Sequence, residues 1–207
     1  MNRSSVYQSA LNLLGEVNYK KHTGTDGICY QCYPDAVRYA NAMGNWSFAR
    51  QKRVLAPLGK AAADGIYTYT LPADCLRVLE VRDTATQNKV RHFELYGRTL
   101  EVTDHSSENI TLVYISDLLA CSDEIPDENP LFCQYVIHLL AARIAPTITG
   151  NVALTQQLEA QAHQLYYQAL AQDRQQTRSN DQHPLKTILA GNITAGSRRS
   201  TNPAYYS

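Results

Sequence analysis

Cys29 and Cys32 form a C-x-x-C pair, the first place in this chain to look for chemistry. A structural zinc site needs four ligands. The other cysteines, Cys75, Cys121 and Cys133, stand singly, and no second C-x-x-C follows. A thioredoxin-type redox pair needs a βαβ context, and the pattern around Cys29 is helical. The pair is therefore expected to be two packed or half-exposed thiols that hold no metal and no cofactor. Five scattered cysteines read as reduced thiols, as in a cytosolic protein. His138 lies in a strongly apolar segment and reads as a core histidine with a backbone partner. Asp123, Glu124, Asp127 and Glu128 have no EF-hand spacing and no mid-loop glycine. An acidic lead-in that complements the dipole of the next helix explains them more simply. The chain has no G-x-S-x-G, no Walker A and no H-E-x-x-H. No catalytic residue is nominated, and the protein is not expected to be an enzyme.

The elements around these residues can be read from period and punctuation. Asn129 is a good N-cap and Pro130 suits the first helical position. Residues 131–145 are apolar on nearly every side, as in a helix buried between other elements. Pro146 and Gly150 are expected to stop it, and Asn151 to cap the next helix. That helix places Leu154, Leu158, Ala162, Leu165 and Ala169 on one face. Its other face is mostly glutamine, including Gln157, Gln161, Gln164 and Gln168. Neutral amides are desolvated at lower cost than charges, so this face is either a solvated surface or a subunit interface.

Towards the N-terminus, Val6, Ala10, Leu13, Leu14 and Val17 predict a helix capped by Ser4 or Ser5. Residues 20–27 read as a loop. A second helix runs from Ile28 to Met43, with Cys32, Ala36, Tyr39, Ala40 and Met43 on one side and a kink or restart at Pro34. Trp46 and Phe48, two apart, would share a face if extended, as buried anchors between helices and strands. The period then changes to that of strands: 67–71, 76–81, 90–95, 98–102 and 109–115, with a hairpin at Tyr96-Gly97.

This predicts an α+β fold: an α-helical bundle with an inserted small antiparallel β-sheet lobe and an extended C-terminal arm. Residues 1–50 and 129–177 make a discontinuous helical body, 66–116 the lobe and 178–207 the arm. At 207 residues the chain can bury one good core. Its 19 basic and 19 acidic residues argue against a general nucleic-acid or membrane-surface binder. No apolar run is expected to reach the roughly 20 residues of a membrane span, and the first residues lack a signal-peptide core. Fourteen tyrosines against three phenylalanines suit protein interfaces. The last 30 or so residues are polar and lack a core pattern, so they are expected to order only on a partner. Their contact residues would be Arg178, Lys186, Arg198, Arg199, Tyr205 and Tyr206.

The order of the pieces carries a resemblance. Leu11-Asn-Leu-Leu-Gly15 and a helix closing on Asn45-Trp-Ser-Phe-Ala49 come first. Tyr67-Thr-Tyr-Thr-Leu-Pro-Ala-Asp-Cys-Leu-Arg-Val-Leu-Glu-Val81, Glu94-Leu-Tyr-Gly-Arg-Thr-Leu100 and a Leu-Val-Tyr-Ile strand follow. A helix opening Asn129-Pro130-Leu131 and an Ile-Thr-Gly-Asn turn at 148–151 complete the set. Across residues 6–175 this resembles the bacteriophage tail tubular protein A family, the head-to-tail adaptors of short-tailed phages. The resemblance implies a structural virion protein of the tail or neck, assembled in the host cytoplasm. It implies a homo-oligomeric ring of twelve subunits between the portal protein and the tail nozzle protein. DNA would pass through the lumen without sequence-specific binding, and no membrane would be involved. The helical part would build the ring, and the C-terminal arm would reach the portal. Neither Cys29/Cys32 nor the 178–207 segment belongs to the resembling pattern. Two other readings stay open: a tail-associated cell-wall hydrolase, which needs an acid and a base in one cleft, and a nucleic-acid-binding module.

Overall fold

Asn129 opens the helix at the centre of the molecule. Its Oδ1 accepts the Phe132 N–H at 3.0 Å, and its Nδ2 donates to the Ala169 carbonyl at 3.2 Å. One buried side chain thus caps one helix and ties it to the next. The computed structural model describes residues 1–59, 65–103 and 108–178. Within them six helices and six strands follow the order α1 (Arg3–Leu13), α2 (Tyr19–Thr23), α3 (Ile28–Met43), β1 (Arg50–Leu55), β2 (Tyr67–Thr70), β3 (Cys75–Asp83), β4 (Phe93–Tyr96), β5 (Thr99–Val102), β6 (Ile110–Ser116), α4 (Leu118–Cys121), α5 (Pro130–Thr149) and α6 (Val152–Arg178). The fold is α+β, as the sequence predicts. Met1–Arg174 forms one compact unit, and a second unit begins at Gln175.

Helix α5 buries Phe132, Tyr135, Val136, Ile137, Leu140, Ala141, Ile144 and Ala145 in one cluster with Val6, Ala10 and Leu11 of α1 and Tyr33, Ala36 and Val37 of α3. By length and composition α5 would be long and apolar enough to cross a membrane, contrary to the expectation that no segment approaches that length. Just over half of that apolar stretch, 56 %, is buried inside the protein. Pro146 does not end α5. The helix runs on to Thr149, where Gly150 at φ +62° returns its N–H to the Pro146 carbonyl at 3.2 Å. A proline in the last turn deprives few carbonyls of a partner. Asn151 caps α6 through the Leu154 N–H at 3.1 Å. Leu158, Ala162 and Ala169 are buried, with Leu154 and Leu165 packed beside them.

Several local expectations need correction. The cap of α1 is Asn2, whose Oδ1 accepts the Ser5 N–H at 2.8 Å. The buried stripe is Val6, Tyr7, Ala10 and Leu11, while Leu13 is exposed and Val17 lies beyond the helix. Residues 19–23 form a short helix within the predicted loop. Helix α3 passes through Pro34 unbroken, because Tyr33, Ala36 and Val37 on either side of it are buried. Tyr39 and Met43 are exposed, so the core face of α3 is turned towards Cys29, Tyr33, Val37 and Asn41.

The strands form two antiparallel three-stranded sheets, β1-β6-β3 and β2-β5-β4. Strand β1 escapes sequence patterning because it is an edge strand exposed at every position but Leu55. Residues 90–95 are not one strand: Val90 donates to Val81 at 2.9 Å, whereas Phe93–Tyr96 pairs with β5. Leu55, Val81, Ile110, Leu112 and Tyr114 from one sheet and Tyr69, Leu100 and Val102 from the other make a second core. Asp74 staples the turn before β3 to β6, accepting from Ser116 Oγ at 2.7 Å and from the Tyr114 hydroxyl at 3.1 Å. Ile115 of β6 reaches into the helical cluster, with Leu76 and Leu79 of β3 at its border.

Candidate interaction surfaces

The segment between α3 and β1 is a 3-10 turn, Ser47–Ala49, rather than an extended stretch. Trp46 and Phe48 nevertheless stack, with centroids 5.9 Å apart and planes 15° apart. Trp46 is fully buried, donates from Nε1 to the Ala40 carbonyl at 2.8 Å and packs edge-on against Phe132 and Tyr166. Phe48 is only half-buried. Gly44 is required by this packing: a Cβ there would sit 2.3 Å from Trp46 Cε2.

On α6 the exposed side carries Gln157, Gln164 and Gln168, with Gln161 half-buried on the same face. Tyr167 beside them is 68 % exposed. From Val152 to Gln172 the helix has one formally charged side chain, Glu159. The polar groups of this face are almost all neutral.

A cleft of about 210 Å³ runs between α3, α5 and α6, lined by Tyr39, Tyr135, Arg143, Glu159 and His163. The Arg143 guanidinium lies 5.5 Å from the centre of the Tyr39 ring, a cation–π distance. Burial raises the Tyr135 hydroxyl above its ordinary pKa, so it stays protonated. The periodicity of α3 hides this cleft, because Tyr39 reads as a core position.

The thiols are quiet. Burial pushes Cys29 up to about 11, with the neighbouring Cys32 adding to it, and burial also raises Cys32. Among the described residues no group of three or more His, Cys, Asp or Glu side chains is placed to hold a metal ion. His138 has the expected backbone partner, Nδ1 to the Gln134 carbonyl at 2.9 Å, but it sits half-buried at the rim of the core. Asp123, Glu124, Asp127 and Glu128 are all exposed. Their backbone does structural work: Asp123 accepts the Arg3 N–H at 2.8 Å, and the Ile125 N–H donates to Met1 at 2.8 Å.

Arg178 ends α6. Lys186, Arg198, Arg199, Tyr205 and Tyr206 lie outside the described residues. No protein-family model matches the chain, and no curated protein matches it.

Proposed function

We propose that this protein is a structural head-to-tail adaptor of a phage virion, a ring that joins the portal to the tail nozzle and lets DNA pass. The observation that carries the reading is the outer face of α6. A 27-residue helix presents Gln157, Gln161, Gln164 and Gln168 beside the exposed Tyr167, with almost no charge to keep it in water. Such a face suits burial against a second copy, since amides and tyrosine are desolvated at lower cost than charges and tyrosine is enriched at interfaces. A repeated contact of unlike faces closes into a ring when its rotation allows. The resemblance in the order of sequence pieces adds the place of that ring, at the neck of a short-tailed phage virion assembled in the host cytoplasm. The proposed ring has twelve subunits and requires neither membrane nor cofactor, and its role is structural, not catalytic.

The 178–207 segment is the proposed portal-binding arm. It carries Arg178, Lys186, Arg198 and Arg199 against Asp181, and the pair Tyr205-Tyr206 stands just before its last residue, Ser207. Ordering a segment costs roughly 1–2 kcal/mol per residue in backbone entropy, so one arm binds weakly and many copies in a ring bind durably. Deleting 178–207 tests this. The truncated chain is expected to keep its melting temperature and to lose joining to DNA-filled heads. Full joining by the truncated chain would move the portal contact to the helical body.

A further inference from the structure

The β1-β6-β3 sheet has two unlike faces. Strand register places Gln51, Arg53 and Leu55 on the side of Tyr114, Leu112 and Ile110, the side packed in the second core. The other side carries Arg50 and Lys52 from β1, Arg77, Glu80 and Arg82 from β3, and Lys89, which bridges to Arg82. Five cations thus share one face with a single carboxylate. Glu80 is engaged by two of them, at 2.7 Å from Arg82 Nε and 3.4 Å from Lys89 Nζ. Arg50 and Arg77 flank the same rung of the ladder, each opposite Ile115. Both are steadied by the end of α3: Arg77 donates to the Gly44 carbonyl at 2.8 Å, and Arg50 to the Asn45 carbonyl at 3.4 Å. Arg50, Lys52, Arg77 and Lys89 are exposed.

The chain as a whole is neutral, so this concentration of one sign is a property of the fold. Charges along an edge strand guard against edge-to-edge pairing. Both β1 and β3 are edges of this sheet, so edge protection accounts for a cation on each strand but not for five gathered on one side of the sheet. We propose that this face is a docking surface for the phosphate backbone of duplex DNA. Charge complementarity selects the partner. On β1, Arg50 and Lys52 are two residues apart, a separation of about 6.8 Å on a strand, twice the roughly 3.4 Å axial charge repeat of one DNA strand. Val54 is the one large apolar side chain exposed on this face, which gives little to insert into a lipid surface. Backbone contact without base readout fits a basic sheet face. The assignment stands on the sheet alone: a monomer that binds duplex through this face would preserve it while removing the ring.

The test is fluorescence anisotropy of a mixed-sequence 30-base-pair duplex with the full chain across a salt series. Lys52→Glu/Lys89→Glu is compared with Lys20→Glu/Lys21→Glu, a control of equal charge change on exposed α2 positions. Circular dichroism and melting check that both stay folded. The wild-type affinity is expected to fall steeply with salt. The sheet variant is expected to lose at least tenfold and to lower the log–log salt slope by about 1.8, at about 0.9 per phosphate contact. The α2 variant is expected to stay near wild type. Absence of duplex binding by the wild type at low salt would overturn the proposal. So would equal losses in the two variants, or an unchanged sheet variant, which would place binding elsewhere on the chain. Anionic vesicles and a polyglutamate peptide are run alongside. Binding to either that exceeds duplex binding and is lost in the sheet variant would assign the face to that partner instead.

Discussion

The Ser47 N–H points between the two carboxylate oxygens of Asp173, 3.1 Å from each, and the Ser47 hydroxyl donates to the same carboxylate at 2.6 Å. Asp173 is buried near the end of the compact unit. It thereby fixes the 3-10 turn that sets Trp46 and starts β1. Removing the carboxylate leaves a partly buried backbone donor without its acceptor, which costs about 1–3 kcal/mol. Asp173→Ala is therefore expected to lower stability in urea by that amount. An unchanged denaturation midpoint would show that the contact contributes nothing.

Trp46→Ala should be more damaging, by about 3–5 kcal/mol for loss of a large core aromatic. In a chain of this size that lowers the melting temperature by roughly 6 °C or more. Gly44→Ala tests the same site from the other side, since its methyl group would meet the indole directly. It should also destabilise, even though the extended backbone at Gly44, the C-cap of α3, is open to alanine. A melting temperature equal to wild type in either variant would remove Trp46 from the core account.

Much of this was legible in the sequence, for reasons that can be named. Asn129, Pro130 and the apolar run behind them specify α5 by local chemistry alone. The alternation at Tyr67–Leu71 and Leu76–Val81 specifies strands because one face of each meets the core. What was hidden lacks such a signal. Strand β1 reads Arg-Gln-Lys-Arg-Val and buries only Leu55, so it has no apolar period to detect. The basic sheet face was hidden by the balance of total charge, which says nothing about segregation. Alternating cations Arg50 and Lys52 just after an aromatic anchor were the available clue. The core face of α3 was misread because Tyr39 and Met43 are apolar yet exposed.

Acid should reveal the Asp74 staple. Burial alone would raise this carboxyl, but hydrogen bonds from Ser116, its own backbone and Tyr114 outweigh it and hold it below the ordinary aspartate range. A carboxylate depressed in the folded state stabilises fully above its unfolded pKa, and that contribution is lost as pH falls through the folded pKa. Wild-type stability should therefore fall as pH drops below about 4, the ordinary aspartate range. Asp74→Asn should start lower at neutral pH and show a shallower acid decline. Equal slopes for the two proteins would contradict the assignment.

Thiol labelling orders the cysteines. Cys121 is exposed, Cys32 and Cys75 are half-buried, and Cys29 and Cys133 are buried. With Cys29 pushed up to about 11 by burial, little thiolate exists at pH 8. Iodoacetamide under native conditions, read by peptide mass spectrometry, should label Cys121 first and Cys29 among the last. Fast labelling of Cys29 would make the C-x-x-C pair a reactive site after all.

Ring assembly is read from the mass of the particle. Mass photometry of the purified protein, alone and with a portal ring of its phage, should detect a discrete closed species built from 23.1 kDa chains, with twelve copies per ring. Replacing Gln161, Gln164 and Gln168 together by glutamate should abolish it while leaving the monomer folded. A monomer in both conditions, or a ring untouched by the triple variant, would contradict the account.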